Sequence, residues 1–224
     1  MIDINPDFES IVDNVALWCG ADMDATDLAN VVQFANAYNI DELSVAPDMI
    51  KTVWPWLENT NKKIMSRFYL DGKKLTENQI SDVTVRINSV LRQGANGAQV
   101  FLPVGALDSL VEQTHVVRDD LFFNKDLAIG LDIGDVGPFE WNAVFERLRK
   151  IDASSVVLVM TRDSGNKSDF VGRLYGMLNA WGAENKFNLH FALGPNFMRI
   201  EQAIRLVQQM QPGLVKGMRF WINF

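Results

Sequence analysis

Eight short apolar runs, separated along nearly the whole chain by segments of helical period, restrict most strongly what this sequence can fold into. The runs cover 14–17, 42–46, 63–69, 98–103, 128–133, 155–160, 189–193 and 217–222. Each is about as long as an ordinary strand, and most are rich in Val, Ile, Leu or Phe. Near-continuous apolarity predicts strands covered on both faces, as in a parallel sheet, and parallel strands need helical crossovers between them.

The intervening segments supply those crossovers. Residues 27–38 place Leu28, Val31, Val32, Ala35 and Tyr38 on one stripe, with Asp24 as N-cap and Asp27 in the first turn. Residues 78–91 align Ile80, Val83, Ile87, Val90 and Leu91, and Gly94 is the stop. Helical segments at 139–148, 170–181 and 197–210 repeat the pattern, and Pro212-Gly213 closes the last. The Asn96-Gly97 pair lies between a helix and a strand, so it reads as an αβ turn.

Eight strands with seven helices between them is the count of an α/β protein of the (β/α)8 (TIM) barrel type, atypical in lacking an eighth helix. A chain of 224 residues suits one such barrel, a unit of about 250 residues, with 1–13 as an N-terminal capping segment. The competitor, a doubly wound open sheet, would carry a Gly-rich turn after the first strand, and Cys19-Gly20-Ala21-Asp22-Met23 is not one. The sequence stops just past the last strand, which leaves one apolar groove to be covered. Residues 6–12, a longer parent chain, or a second copy docked on the apolar end 220–224 would each cover it; the last of these predicts a homo-oligomer.

Composition narrows the function classes. Hydrophobic residues make up 48% and charged residues 22%, enough apolar material for a sizeable core and unlike a disordered tail. A net charge of −7 argues against nucleic acid as a partner. The single cysteine, Cys19, excludes a disulfide framework within the chain and fits a reducing compartment. The acidic N-terminus lacks the pattern of a signal peptide, and the longest apolar run, 156–160, is far below the roughly 20 residues of a spanning helix. A cytoplasmic protein without a membrane partner is the expectation.

Two stretches are similar to a known family. Ser44-Val45-Ala46-Pro47-Asp48-Met49-Ile50 resembles the second strand and turn of deoxyribose-phosphate aldolases. The run 90–103, with its Gly94-Ala95 turn and its Phe101-Leu102-Pro103 ending, resembles that family's third helix and fourth strand. Residues 153–165 and 189–196 fall where its sixth and seventh strands belong, so the likeness spans about 40–200 in order and spacing. The resemblance implies a TIM barrel and class I aldolase chemistry, in which a desolvated strand lysine forms a Schiff base with a carbonyl substrate. The sixth strand here has no lysine. The second lysine implied by the family would fall near Ala192, and its fourth-strand aspartate near Gln99.

Strand C-termini and the loops after them carry the chemistry in barrels. Asp132 and Asp135 end an apolar strand between glycines that leave room for a ligand; they read as a general base or a metal ligand, or as carboxylates bonding loop amides. His190 reads as an acid/base or as a hydrogen-bonded wall residue. Arg67 and Arg162 end strands in apolar company and suit a phosphate or carboxylate, or else pair with Asp132 or Asp135. Gly165 and the Gly194-Pro195-Asn196 turn are candidates to present amides to an anion at the start of the following helix. Trp18 and Trp221 read as an aromatic pocket wall or as core. No two-histidine metal spacing occurs and no cofactor motif is present. Two functions remain: a barrel that binds or transforms a small, phosphorylated or other carbonyl or sugar compound without a Schiff-base lysine, or an inactive barrel kept as a binding or assembly subunit.

Overall fold

The computed structural model describes residues 11–113, 125–160, 167–194 and 196–224. Eight parallel strands close into a barrel in sequence order: β1 (Val15–Trp18), β2 (Glu42–Val45), β3 (Lys63–Tyr69), β4 (Gly97–Phe101), β5 (Asp126–Asp132), β6 (Ser155–Val159), β7 (Asn188–Ala192) and β8 (Arg219–Asn223). β8 returns to β1 with Val15 opposite Phe220 and Trp18 opposite Asn223, so the ring of strands has no edge. All eight expected strands are present, each within two residues or so of the apolar run that predicts it.

The α-helices among the described residues are α1 (Ala25–Ala37), α2 (Ile50–Leu57), α3 (Glu77–Arg92), α4 (Leu107–Glu112), α5 (Trp141–Ile151), α6 (Lys167–Asn179) and α7 (Phe197–Met210). Local chemistry sets their ends. At α1 the Asp24 carboxylate accepts from the amides of Thr26 and Asp27 at 2.7 and 2.9 Å, while Asp27 accepts from the Asp24 amide, a reciprocal cap. Thr76 and Gln79 do the same for α3. After α3 the chain turns at Gly94, whose φ of 111° and contact with the Trp54 ring admit no side chain. α2 and α4 are too short to stand out as separate stripes in the sequence. The Asn96 side chain accepts from the Ile64 amide at 2.8 Å, which makes Asn96-Gly97 the expected αβ turn.

Alternation along the strands divides the buried residues into two cores. Outward positions such as Leu17, Leu43, Ile64, Ile129, Leu158 and Phe191 pack against the helices and form the larger one. Inward positions form a small second cluster: Ala16, Met65, Phe101, Ala128, Val157 and Trp221, with Trp18, Val159 and Ala192 against it. Ser44, Arg67, Gln99 and His190, all buried, complete the interior. Barrel interiors are normally filled by branched aliphatic layers. This one is laced with polar groups and small side chains, which leaves a cavity at each end.

The apolar end of the chain is occupied within the fold. Phe220, Trp221 and Ile222 are buried in the barrel, and Phe224 meets the Phe34 ring of α1 edge-on at 5.2 Å. Closure of β8 onto β1 thus engages the side chains of Phe220, Trp221 and Ile222 within the chain itself. Residues 1–10 of the expected capping segment lie outside the described residues; Ile11 is buried and the Asn14 amide donates to the Val215 and Met218 carbonyls ahead of β8.

Candidate functional site

Inward positions at the C-terminal ends of β1, β3 and β4 bring Trp18, Arg67, Tyr69 and Phe101 to the mouth where barrels carry their working residues. A cavity of about 610 Å3 opens there, lined by Trp18, Arg67, Tyr69, the Ala46-Pro47 turn and Asn223 among others. Trp18 and Tyr69 each hold a ring 5.2 Å from that of Phe101, and the Arg67 guanidinium lies 4.6 Å from the Trp18 ring centre. Tyr69 is 61% exposed, so the ladder of rings runs from the interior to solvent.

Arg67 is the buried cation of this mouth. Its guanidinium donates to the Cys19 carbonyl and, at 3.3 Å, to the Ser44 carbonyl, which ties the ends of β1 and β2 to β3. Its Nε has no protein partner among the described residues. Burial lowers its pKa, opposed by Tyr69 and Cys19, yet arginine remains a cation at any ordinary pH. The same burial pushes the Cys19 thiol up to about 12, against the pull of Arg67, and raises the Tyr69 phenol. Both are protonated at neutral pH. Arg86 of α3 adds a second, exposed guanidinium at the rim, 5.5 Å from the Phe68 ring.

The remaining sequence candidates are scattered. Asp132 accepts from the Gly134 amide at 2.8 Å and caps the short 3-10 turn Ile133–Asp135, in which Asp135 is exposed. Arg173 of α6 donates to the carbonyls of Ile133, Gly134 and Val136 and pins that turn. Gly130 does not open room for a ligand as expected: a Cβ there would sit 2.0 Å from the Phe101 ring, so the space is already filled. Arg67 donates to the Cys19 and Ser44 carbonyls in place of the expected pairing with Asp132 or Asp135. Asn196 caps α7 by accepting from the Arg199 amide at 3.1 Å, and Gly194 turns with φ 65°. Arg162, Gly165 and Pro195 lie outside the described residues.

His190 lies toward the other end of the barrel. Its ring lines the N-terminal opening, not the C-terminal mouth. Trp221 Nε1 donates to His190 Nδ1 at 3.4 Å and the Gly217 backbone hydrogen-bonds the ring. Burial, with the charges of Arg219 and Lys63, lowers its pKa to about 3. Trp221 thus belongs with His190, and Trp18 finds its aromatic partner in Phe101, one layer nearer the mouth. The signal available in the sequence was the two-residue period of β3, which puts Met65, Arg67 and Tyr69 on one side; Ser66 among the outward positions obscured it.

Where the family resemblance implies amines, the wall is Val157, Val159 and Ala192, and Gln99 occupies the position of the implied aspartate, its Oε1 accepting from Ser44 Oγ at 2.6 Å. Among the described residues no group of three or more His, Cys, Asp or Glu is placed to hold a metal ion, and no helix is long and apolar enough to cross a membrane.

No protein-family model matches the chain, and no curated protein matches it in sequence. Solved structures do match its fold. A provisionally assigned deoxyribose-phosphate aldolase from Coccidioides immitis superposes with a TM-score of 0.68 at 12% identity, over 99% of this chain and 84% of that one. A tetrameric deoxyribose phosphate aldolase from Aeropyrum pernix gives 0.65 at 11% identity, over 96% and 87%. A provisionally assigned copper homeostasis protein from Streptococcus agalactiae gives 0.63 at 9% identity, over 93% and 98%. The barrel is shared, and proteins of different description share it, so function has to be argued from the site.

Proposed function

We propose that this barrel binds a small anionic carbonyl or sugar compound at its C-terminal mouth, without a Schiff-base lysine. The observation that supports the reading is the buried Arg67 guanidinium, packed on Trp18 at the floor of a cavity walled by aromatic rings. A guanidinium matches the oxygens of a phosphate or carboxylate, and the faces of Trp18 and Tyr69 suit the apolar side of a ring or short carbon chain. Arg86 adds charge at the entrance.

The titratable side chains lining this cavity, among the described residues, are Arg67, Tyr69 and Arg86, and none of them is a base at neutral pH. That favours binding over lyase chemistry and gives weight to a second reading, a barrel retained as a binding subunit. Asp132, at the end of β5, is the carboxylate we retain as a rim group for any proton transfer. Self-assembly is part of the same proposal, read out by light scattering.

Calorimetric titration with inorganic phosphate and a panel of phosphorylated three- to five-carbon sugars tests the reading. Arg67→Gln should weaken binding roughly ten- to hundredfold, the weight of a charged hydrogen bond. Borohydride reduction in the presence of the same carbonyl compounds should leave every lysine unmodified. Undiminished affinity in Arg67→Gln removes the anion site, and a trapped lysine adduct removes the claim about mechanism.

A further inference from the structure

The opposite end of the barrel is also built to receive something. The first residues of five strands, Glu42, Lys63, Asp126, Asn188 and Arg219, ring the N-terminal opening. Below that rim lies a cavity of about 170 Å3, room for about five water molecules, floored by Gln99, Ala128, His190 and Trp221. Small side chains at Ala128 and Ser155 create the space.

The N-terminal face of a barrel ordinarily serves stability, and a purely structural polar cluster closes its hydrogen bonds on itself. The rim does so in part. Lys63 Nζ meets Asp126 Oδ2 at 2.9 Å, and Arg219 Nη2 lies 3.7 Å from Asp41 Oδ2. The floor does not. Gln99 is fully buried, its Oε1 is taken by Ser44, and its Nε2 has no protein partner among the described residues. At the rim, Arg219 Nε is also buried without a protein partner among the described residues. His190 offers no competing acceptor, because Trp221 occupies its Nδ1.

We propose that this opening is a binding site for a small oxyanion, a carboxylate or phosphate of a few heavy atoms, held by the Gln99 amide and the Arg219 guanidinium. Two unmade N–H donors on residues that line a polar well, Gln99 at its floor and Arg219 at its rim, call for an acceptor, and a guanidinium donor suits a negative one. Lys63 and Arg219 make themselves felt on the titratable groups beside them: both charges depress His190 and both draw down Glu42. Burial raises the pKa of Glu42, the remaining carboxyl of the rim, against the pull of Arg219 and Lys63. The volume admits acetate or phosphate. The site draws on none of the residues of the C-terminal mouth, so either can fail alone.

Side-chain amide and guanidinium resonances in 1H–15N spectra of the full chain test the proposal. Titration with sodium acetate and, separately, with inorganic phosphate should move the Gln99 Nε2 and Arg219 Nε signals saturably at constant ionic strength. The arm that saturates at lower concentration identifies the carboxylate or the phosphate as the natural headgroup. Gln99→Met and Arg219→Met should each weaken that binding by about tenfold or more. If neither anion moves the two signals, if only the Arg67 signal moves, or if the affinity survives in a folded variant, the proposal is overturned. The wild-type titration decides even where a variant does not fold.

Discussion

Gly130→Ala is the substitution that most directly links the barrel interior to its mouth. Gly130 sits on β5 directly opposite Phe101 of β4. A Cβ there would lie 2.0, 2.3 and 2.6 Å from the Phe101 Cδ1, Cε1 and Cγ atoms, distances that require the ring to move. Phe101 has no free direction: it is 6% exposed and holds the rings of Trp18 and Tyr69 at 5.2 Å each. Overpacking of this kind costs about 1–3 kcal/mol, and each ring–ring pairing that breaks adds about 0.5–1.5 kcal/mol. Against this, alanine is worth up to about 1 kcal/mol over glycine through the unfolded chain. The net is a destabilisation of roughly 1–4 kcal/mol, a fall in Tm of about 3–12 °C for a chain of this size. Urea and thermal melts followed by far- and near-ultraviolet circular dichroism read both the stability and the aromatic ladder. Phe101→Leu in the same chain should recover at least half the loss, giving a coupling of about 1 kcal/mol or more. A Tm within about 1 °C of the parent, or strictly additive effects in the double mutant, would refute the claim that the Phe101 ring occupies the space left by Gly130.

Two further outcomes follow from burial. His190, held down to about 3, is neutral in the folded chain, whereas the unfolded chain takes up its proton below the ordinary 6.5. Its contribution to stability is therefore intact above that pH and lost as the pH falls toward the folded value, at about 1.4 kcal/mol per pH unit. Urea midpoints at pH 7 and pH 5 should diverge less in His190→Gln than in the parent, and equal divergence would show that the imidazole is not the group responsible. Cys19, buried and raised to about 12, should resist aromatic disulfide reagents at pH 8 in the folded protein and react fully in denaturant. Rapid modification of the folded chain would place the thiol at the surface.

The candidate site was legible only in fragments. Arg67 stood out as a cation among apolar residues, and Trp18 as an aromatic at a strand end. Their meeting needed β1 and β3, strands separated by a whole β–α unit, to present the same face at the same height. Asp132, Asn196 and His190 looked equally available, yet each is engaged where it stands, by the Gly134 amide, the Arg199 amide and the Trp221 indole. Strand-end polar residues all look alike in one dimension, because a local backbone amide and a ligand make the same demand on a carboxylate or an amide. Gly130 misled for a related reason: absence of a side chain signals close approach without saying what approaches.

Hydrophobic period and capping chemistry are local, and they were sufficient by themselves to locate eight strands, the longer helices and the parallel barrel they build. What the tertiary structure alone decided was depth: which inward residues stand at the mouth, which at the floor, and which donors find no partner. Depth depends on the stagger between neighbouring strands, a relation between segments that are distant along the chain and carry no mark of it in their own composition.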